Sequence, residues 1–223
     1  MAQLTDVAPG VLRLSPLPLD LVNMYLLDDV LVDAGGGLGT KRILAALRGH
    51  RVSALALTHA HFDHHGGSHA VCEALGIPLW CGEEERPAVE AGDGSLLYPD
   101  PSRRIARVAR RLGGPPHPVA RVLREGDTVG SFTVLATPGH TPGHLAFWRQ
   151  RDRVLVLGDI LFHRNPVTLR HRLMFPYRFL VYDYEQNAAA ARRLAALEPA
   201  VVCFGHGEPL RDPDLLHAFL RPA

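Results

Sequence analysis

Thr58-His59-Ala60-His61-Phe62-Asp63-His64-His65-Gly66-Gly67 sets four metal-capable side chains, His59, His61, Asp63 and His64, within six residues. Directly before it, Val52-Ser53-Ala54-Leu55-Ala56-Leu57 has the length of a buried strand. Directly after it, a small-residue turn leads into a helical pattern. Imidazoles and a carboxylate at the carboxyl end of a buried strand stand where α/β folds carry ligand sites. This mix of nitrogen and oxygen donors suits zinc first, with iron or manganese also compatible. In an extended segment His59 and His61 point to the same side. The chain must then turn, which lets Asp63 and His64 aim at a second point nearby. One ion for each pair is the arrangement this spacing allows.

Three later segments repeat the pattern of apolar strand followed by a turn that carries a donor. Val134-Leu135-Ala136 leads to Thr137-Pro138-Gly139-His140-Thr141-Pro142-Gly143-His144. Val154-Leu155-Val156-Leu157 leads to Gly158-Asp159, and Val201-Val202-Cys203-Phe204 leads to Gly205-His206-Gly207. Each donor follows glycine, which allows a sharp turn and a close approach to an ion. Four strand ends on one rim could therefore share one site. Spacing alone does not separate His140 from His144, since both follow Pro-Gly.

With these residues in hand, the chain resembles the metallo-β-lactamase superfamily, in particular the hydrolase branch that includes glyoxalase II. His59, His61, Asp63 and His64 stand as the family's His-x-His-x-Asp-His, and His140, Asp159 and His206 follow in the family's order. The resemblance implies an α/β (α+β) protein built as a four-layer αββα sandwich, a single domain over 1–223. It implies two divalent ions, zinc foremost: His59, His61 and His140 on the first, Asp63, His64 and His206 on the second, Asp159 on both. It favours His140 over His144, which is expected behind the ligands or at the start of the next strand. The implied activity is hydrolysis of a small ester, thioester, lactone or phosphoester by a metal-bridging hydroxide, with Asp63 orienting the nucleophile. The alternative is a mononuclear iron oxygenase resembling persulfide dioxygenase, on His59, His140 and Asp159. No evident helical domain follows His206, which points away from a glutathione thioester.

Composition narrows the partners. The 24 basic and 23 acidic residues leave a formal charge of +1, no electrostatic footprint for nucleic acid or a membrane surface. A positively charged metal core favours a small, anionic substrate. No apolar run is long enough to span a bilayer. The amino-terminal residues from Met1 lack a secretory pattern, and Cys72, Cys81 and Cys203 form neither a disulfide framework nor a Cys-x-x-Cys site. The expected setting is the cytoplasm. Oligomeric state is not legible.

Along the chain, strands are expected at 11–14, 22–27 and 30–33, the last two as a hairpin through Asp28-Asp29. Helices are expected at about 40–48, 68–75, 184–197 and 214–220. The stretch 83–118 reads as a helical insertion or lid. Within it, Pro101 to Leu112 is amphipathic, with Arg103, Arg104, Arg107, Arg110 and Arg111 opposite Ile105, Val108 and Leu112. Past Asp159, His163, Arg164, Arg170, Tyr177 and Arg178 are expected to line a substrate pocket, and 174–182 to act as a lid or interface. His50, His69, His117, His171 and His217 are expected to be surface or capping residues without a neighbouring donor.

Overall fold

The computed structural model describes residues 4–100 and 102–221. Residues 1–3, the start of the amino-terminal reading, and Pro101, the expected helix start, lie outside the described residues. Seven strands lie side by side in chain order: β1 (Leu4–Ala8), β2 (Val11–Leu14), β3 (Met24–Leu27), β4 (Val30–Val32), β5 (Ala54–Ala56), β6 (Leu79–Gly82) and β7 (Val119–Leu123). β1 to β4 form an antiparallel meander, and β4 to β7 run parallel. Parallel pairs need crossovers. These are α1 (Thr40–Ala46), then α2 (Phe62–His65) with α3 (Ser68–Leu75), then α4 (Arg86–Ala91) with α5 (Arg104–Leu112).

A second sheet holds β8 (Thr128–Val129), β9 (Phe132–Ala136), β10 (Leu145–Arg149) and β11 (Val154–Val156). The hairpin β12 (Phe162–Arg164) and β13 (His171–Met174) follows, then α6 (Tyr184–Ala195), β14 (Val201–Cys203) and α7 (Pro213–Leu220). β14 closes the second sheet, parallel to β11.

Side-chain alternation builds the layers. Tyr25, Leu27, Val30, Val32, Ala54 and Ala56 turn inward and meet Val134, Leu145, Phe147, Val154, Val156 and Cys203 from the other sheet. Their neighbours Leu31, Leu55 and Leu79 turn outward onto Ile43, Val71, Cys72 and Val89 of the first helical layer. Ala146, Leu155 and Val202 turn outward onto Ala191, Leu194 and Leu216 of the second. Strands covered on both faces must be apolar at every position, which explains their unbroken apolar runs. Each fully buried Val or Leu contributes roughly 1.5–3 kcal/mol. The result is the αββα sandwich.

The arginine helix differs from its sequence reading. α5 buries Ala106 and Ala109, while Val108 and Leu112 stay 46% and 47% exposed. The reason is proximity. Ala106 and Ala109 pack with Tyr98 and Phe62, and a Cβ on Gly66 would lie 3.0 Å from the Leu112 carbonyl. Only small side chains fit so tight an approach, so the helix turns its alanines to the body, with Ile105 half-buried beside them, and leaves Val108 and Leu112 outside.

Candidate metal centre

The four donor-bearing turns leave β5, β9, β11 and β14 at the same edge of the sandwich and converge. His59, His61 and His140 bring their donor atoms within 4.8 Å of one another, as do Asp63, His64 and His206. Asp159 stands between the two groups. Its Oδ2 lies 3.0 Å from His206 Nε2, 3.6 Å from His140 Nε2 and 3.8 Å from His59 Nε2; its Oδ1 lies 3.4 Å from His64 Nε2. His140 Nε2 is 3.0 Å from His61 Nδ1, and His64 Nε2 is 3.5 Å from His206 Nε2. All seven residues predicted as ligands from sequence are thus gathered at one place, and all but Asp63 are buried.

Residues behind the donors aim them. Asp33 accepts from His64 Nδ1 at 2.9 Å and from Thr58 Oγ1 at 2.8 Å. Because the Thr58 hydroxyl donates to Asp33, it accepts from His59 Nδ1 at 3.0 Å. His206 Nδ1 donates to the Leu21 carbonyl. In each ring Nδ1 gives its proton to a partner behind, which turns Nε2 toward the centre, the orientation that a ligand requires. His144 is no member of the donor groups. Its Nε2 accepts the Asp159 backbone N–H at 3.2 Å, and its Nδ1 donates to Thr137 Oγ1 at 2.8 Å. It therefore holds Asp159 from behind, as expected from the sequence.

Glu85 ties the two halves of the site together. Its carboxylate accepts the Ala60 N–H at 2.7 Å and the Gly143 N–H at 2.9 Å. Complete burial pushes its carboxyl up to about 7. Asp33, Glu85 and Tyr98, whose ring stacks on His61 at 4.6 Å, were all missed by sequence reasoning. Asp33 at a strand end before Gly35-Gly36-Gly37 was a signal that could have been used. Glu85 looked like any acidic helix start.

Charge and space both fit a cation. Burial, then repulsion from His64, holds His59 well below the usual imidazole range, and burial pushes His61 down to about 4. Burial would raise Asp159, but His206 and His64 hold it well below the usual carboxylate range. Burial opposes protonation of His64 and His206 too, yet the surrounding carboxylates together, Asp159 and Asp63 with Asp33 at His64, raise both. His59 Nε2 and Asp159 Oδ1 are buried with no hydrogen-bond partner. Neutral His59 and His61, an ionised Asp159 and unpartnered donor atoms are the states that divalent ions need, and at His64 and His206 an ion would take the place of the proton that the carboxylates favour. Gly205 is required here, since a Cβ on it would sit 2.0 Å from Asp159 Oδ1.

The residues expected to touch substrate are dispersed. His163 is buried against His171 and Phe204, with Nδ1 donating to the Glu208 carbonyl at 2.7 Å. Arg164 donates to the Leu169 carbonyl, Tyr177 bonds Asn165, and Arg170 is exposed. Arg178 lies over the Tyr184 ring and lines a cavity of about 510 Å³ with Tyr98 and Tyr182. A second, apolar cavity of about 200 Å³ reaches Asp63 and is lined by Leu17, Val22, Leu38, Phe62 and Leu112.

Comparison with known proteins agrees with this geometry. The metallo-beta-lactamase superfamily model matches residues 17–206. The chain is 29% identical to the probable metallo-hydrolase YflN of Bacillus subtilis, over 87% of this chain and 83% of that protein. It is 30% identical to the hydroxyacylglutathione hydrolase GloC of Haemophilus influenzae, over 69% and 68% of the two chains. The crystal structure of TTHA1623 in a di-iron-bound form superposes with a TM-score of 0.70 at 29% identity, covering 98% of each chain. The motif, the sandwich and these matches agree: the chain belongs to the metallo-β-lactamase superfamily and is a metal-dependent hydrolase by kind.

Proposed function

We propose that this protein is a dinuclear hydrolase that uses two divalent ions, zinc foremost, to cleave a small ester or thioester with an apolar acyl group. The observation that carries this reading is Asp159, whose carboxylate lies between two groups of three donors, with Oδ2 3.6 and 3.8 Å from His140 and His59 of one group and 3.0 Å from His206 of the other. His59, His61 and His140 would hold one ion, Asp63, His64 and His206 the other, and Asp159 both. Ions so held would supply an acidified water and polarise the substrate oxygen. The di-iron state of TTHA1623 supports two ions, and the name of GloC supports a thioester.

The chain's own groups supply the rest. Asp63 is the catalytic residue in this reading. Its side chain is 26% exposed, with Oδ2 3.5 Å from His206 Nε2. Its other oxygen accepts a hydrogen bond from the attacking water and orients it. The apolar cavity beside Asp63 receives the acyl group and excludes water. Arg178, in the cavity beside Tyr98, attracts an anionic end of the substrate. The pairing of an apolar with a cationic cavity favours a carboxylic ester or thioester over a phosphodiester. The three free, buried thiols support a reducing, cytoplasmic setting.

Elemental analysis combined with a hydrolysis screen over thioesters, lactones and phosphodiesters tests the proposal. Two bridged ions and turnover of acyl substrates are expected. A single iron at the centre with oxygen consumption would instead establish the oxygenase reading.

A further inference from the structure

The structure holds a second cluster of metal-capable side chains, away from Asp159. We propose that His69, Glu73 and His117 form a third divalent-metal site, of the zinc class, which clamps α3 to the loop before β7. The sequence reading treated His69 and His117 as isolated; the fold brings them together. His69 and Glu73 stand four residues apart on α3, so both project from one helix face. His117 arrives from the 113–118 loop, buried, with its backbone N–H donating to the Val89 carbonyl. The three donor atoms lie within 4.8 Å of one another.

The spacing is that of ligands around one ion. His69 Nδ1 and His117 Nδ1 are 3.3 Å apart. Two nitrogens at about 2.0–2.1 Å from a tetrahedral zinc stand about 3.3–3.4 Å apart. The corresponding imidazole pairs in the centre around Asp159 stand at 3.0 and 3.5 Å. Two imidazoles and one carboxylate leave a fourth position for water, the composition of an open zinc site. Burial, then His69, keeps His117 below its usual range, so its lone pair is available. A further buried imidazole, His65, feels His117 and has neither ring nitrogen hydrogen-bonded. Glu73 is exposed and His69 half-buried, so an ion can enter from solvent.

The consequence is mechanical. The ion would join the helix that follows the His59–Gly67 motif to the segment that carries Tyr98 and α5. That segment already touches the motif turn, since a Cβ on Gly114 would meet the Gly66 carbonyl at 2.5 Å.

Full-length protein is equilibrated with zinc, dialysed, and its metal content compared with that of His69→Ala and Glu73→Gln. Both positions are open to solvent, so these variants test the site without the folding risk of His117→Ala. The expected result is one zinc per chain fewer in His69→Ala, with hydrolytic turnover unchanged, and weaker zinc retention in Glu73→Gln. Added zinc should raise the Tm of a chain carrying Asp159→Ala, and by less once His69→Ala is added. Equal zinc content in the wild type and His69→Ala would mean a histidine pair bonded without an ion, and would overturn the proposal. Because the readout is a difference in content, it holds whatever number of ions the centre at Asp159 takes.

Discussion

Among the described residues stand two clusters of imidazoles and carboxylates, and they are built differently. Around Asp159 several donors are held from behind: His64 by Asp33, His59 by Thr58, His206 by the Leu21 carbonyl, Asp159 by His144. Around His117 the donors are partly open to water, and Glu73 is exposed. The difference teaches what separates a reactive centre from a clamp. Catalysis needs donors fixed before the ions arrive, and buried partners supply that at the expense of stability. A clamp needs only donors within reach.

The largest effect that would sharpen this contrast is loss of the bridging carboxylate. Asp159→Ala should lower ion content at the centre and reduce turnover by about 10³-fold or more, since several kcal/mol of charge stabilisation is lost. Mass spectrometry of metals together with the hydrolysis rate checks it. Unchanged turnover would break the comparison.

Glu85 offers the next effect, on stability. Its folded carboxyl titrates near 7 against 4.5 when free. The unfolded chain therefore releases this proton first as pH rises, and stability falls between about pH 4.5 and 7, by on the order of 3 kcal/mol. Below 4.5 the contribution is fully present. Glu85→Gln removes this slope, so its stability relative to wild type should improve as pH rises through that window. Denaturant unfolding at several pH values reads it.

Asp33→Ala should weaken ion binding or turnover by about 10–100-fold while leaving every donor in place. Competition with a chelator checks it. Arg178→Ala is the smallest, a rise in KM for an anionic acyl substrate of about two- to fivefold with kcat retained, because an accessible charge contributes about 0.2–1 kcal/mol.

Much of the fold was legible because its strands are covered on both faces. Unbroken runs such as Val154–Leu157 and Val201–Phe204 announced themselves, and each was followed at once by its donor. Helix α3 was read to its final residue, its stop set by Gly76 in the left-handed region. The supporting residues were not legible. Asp33 and Glu85 act on partners 25 to 58 positions away, through pairing that local pattern does not encode. The hairpin of β12 and β13 mixes arginine, histidine and apolar residues and shows no alternation. Of the expected apolar face of α5, Ile105 packs inward, but Val108 and Leu112 stay exposed because the small Ala106 and Ala109 make the close approach. His69 and His117 meet only because α3 and the 113–118 loop are neighbours in space.

The most direct test of the central claim is anomalous diffraction from metal-loaded crystals. Two peaks flanking the Asp159 carboxylate are expected, one among His59, His61 and His140 and one among Asp63, His64 and His206. A single peak bounded by His59, His140 and Asp159 alone, with no density near His206, would contradict it.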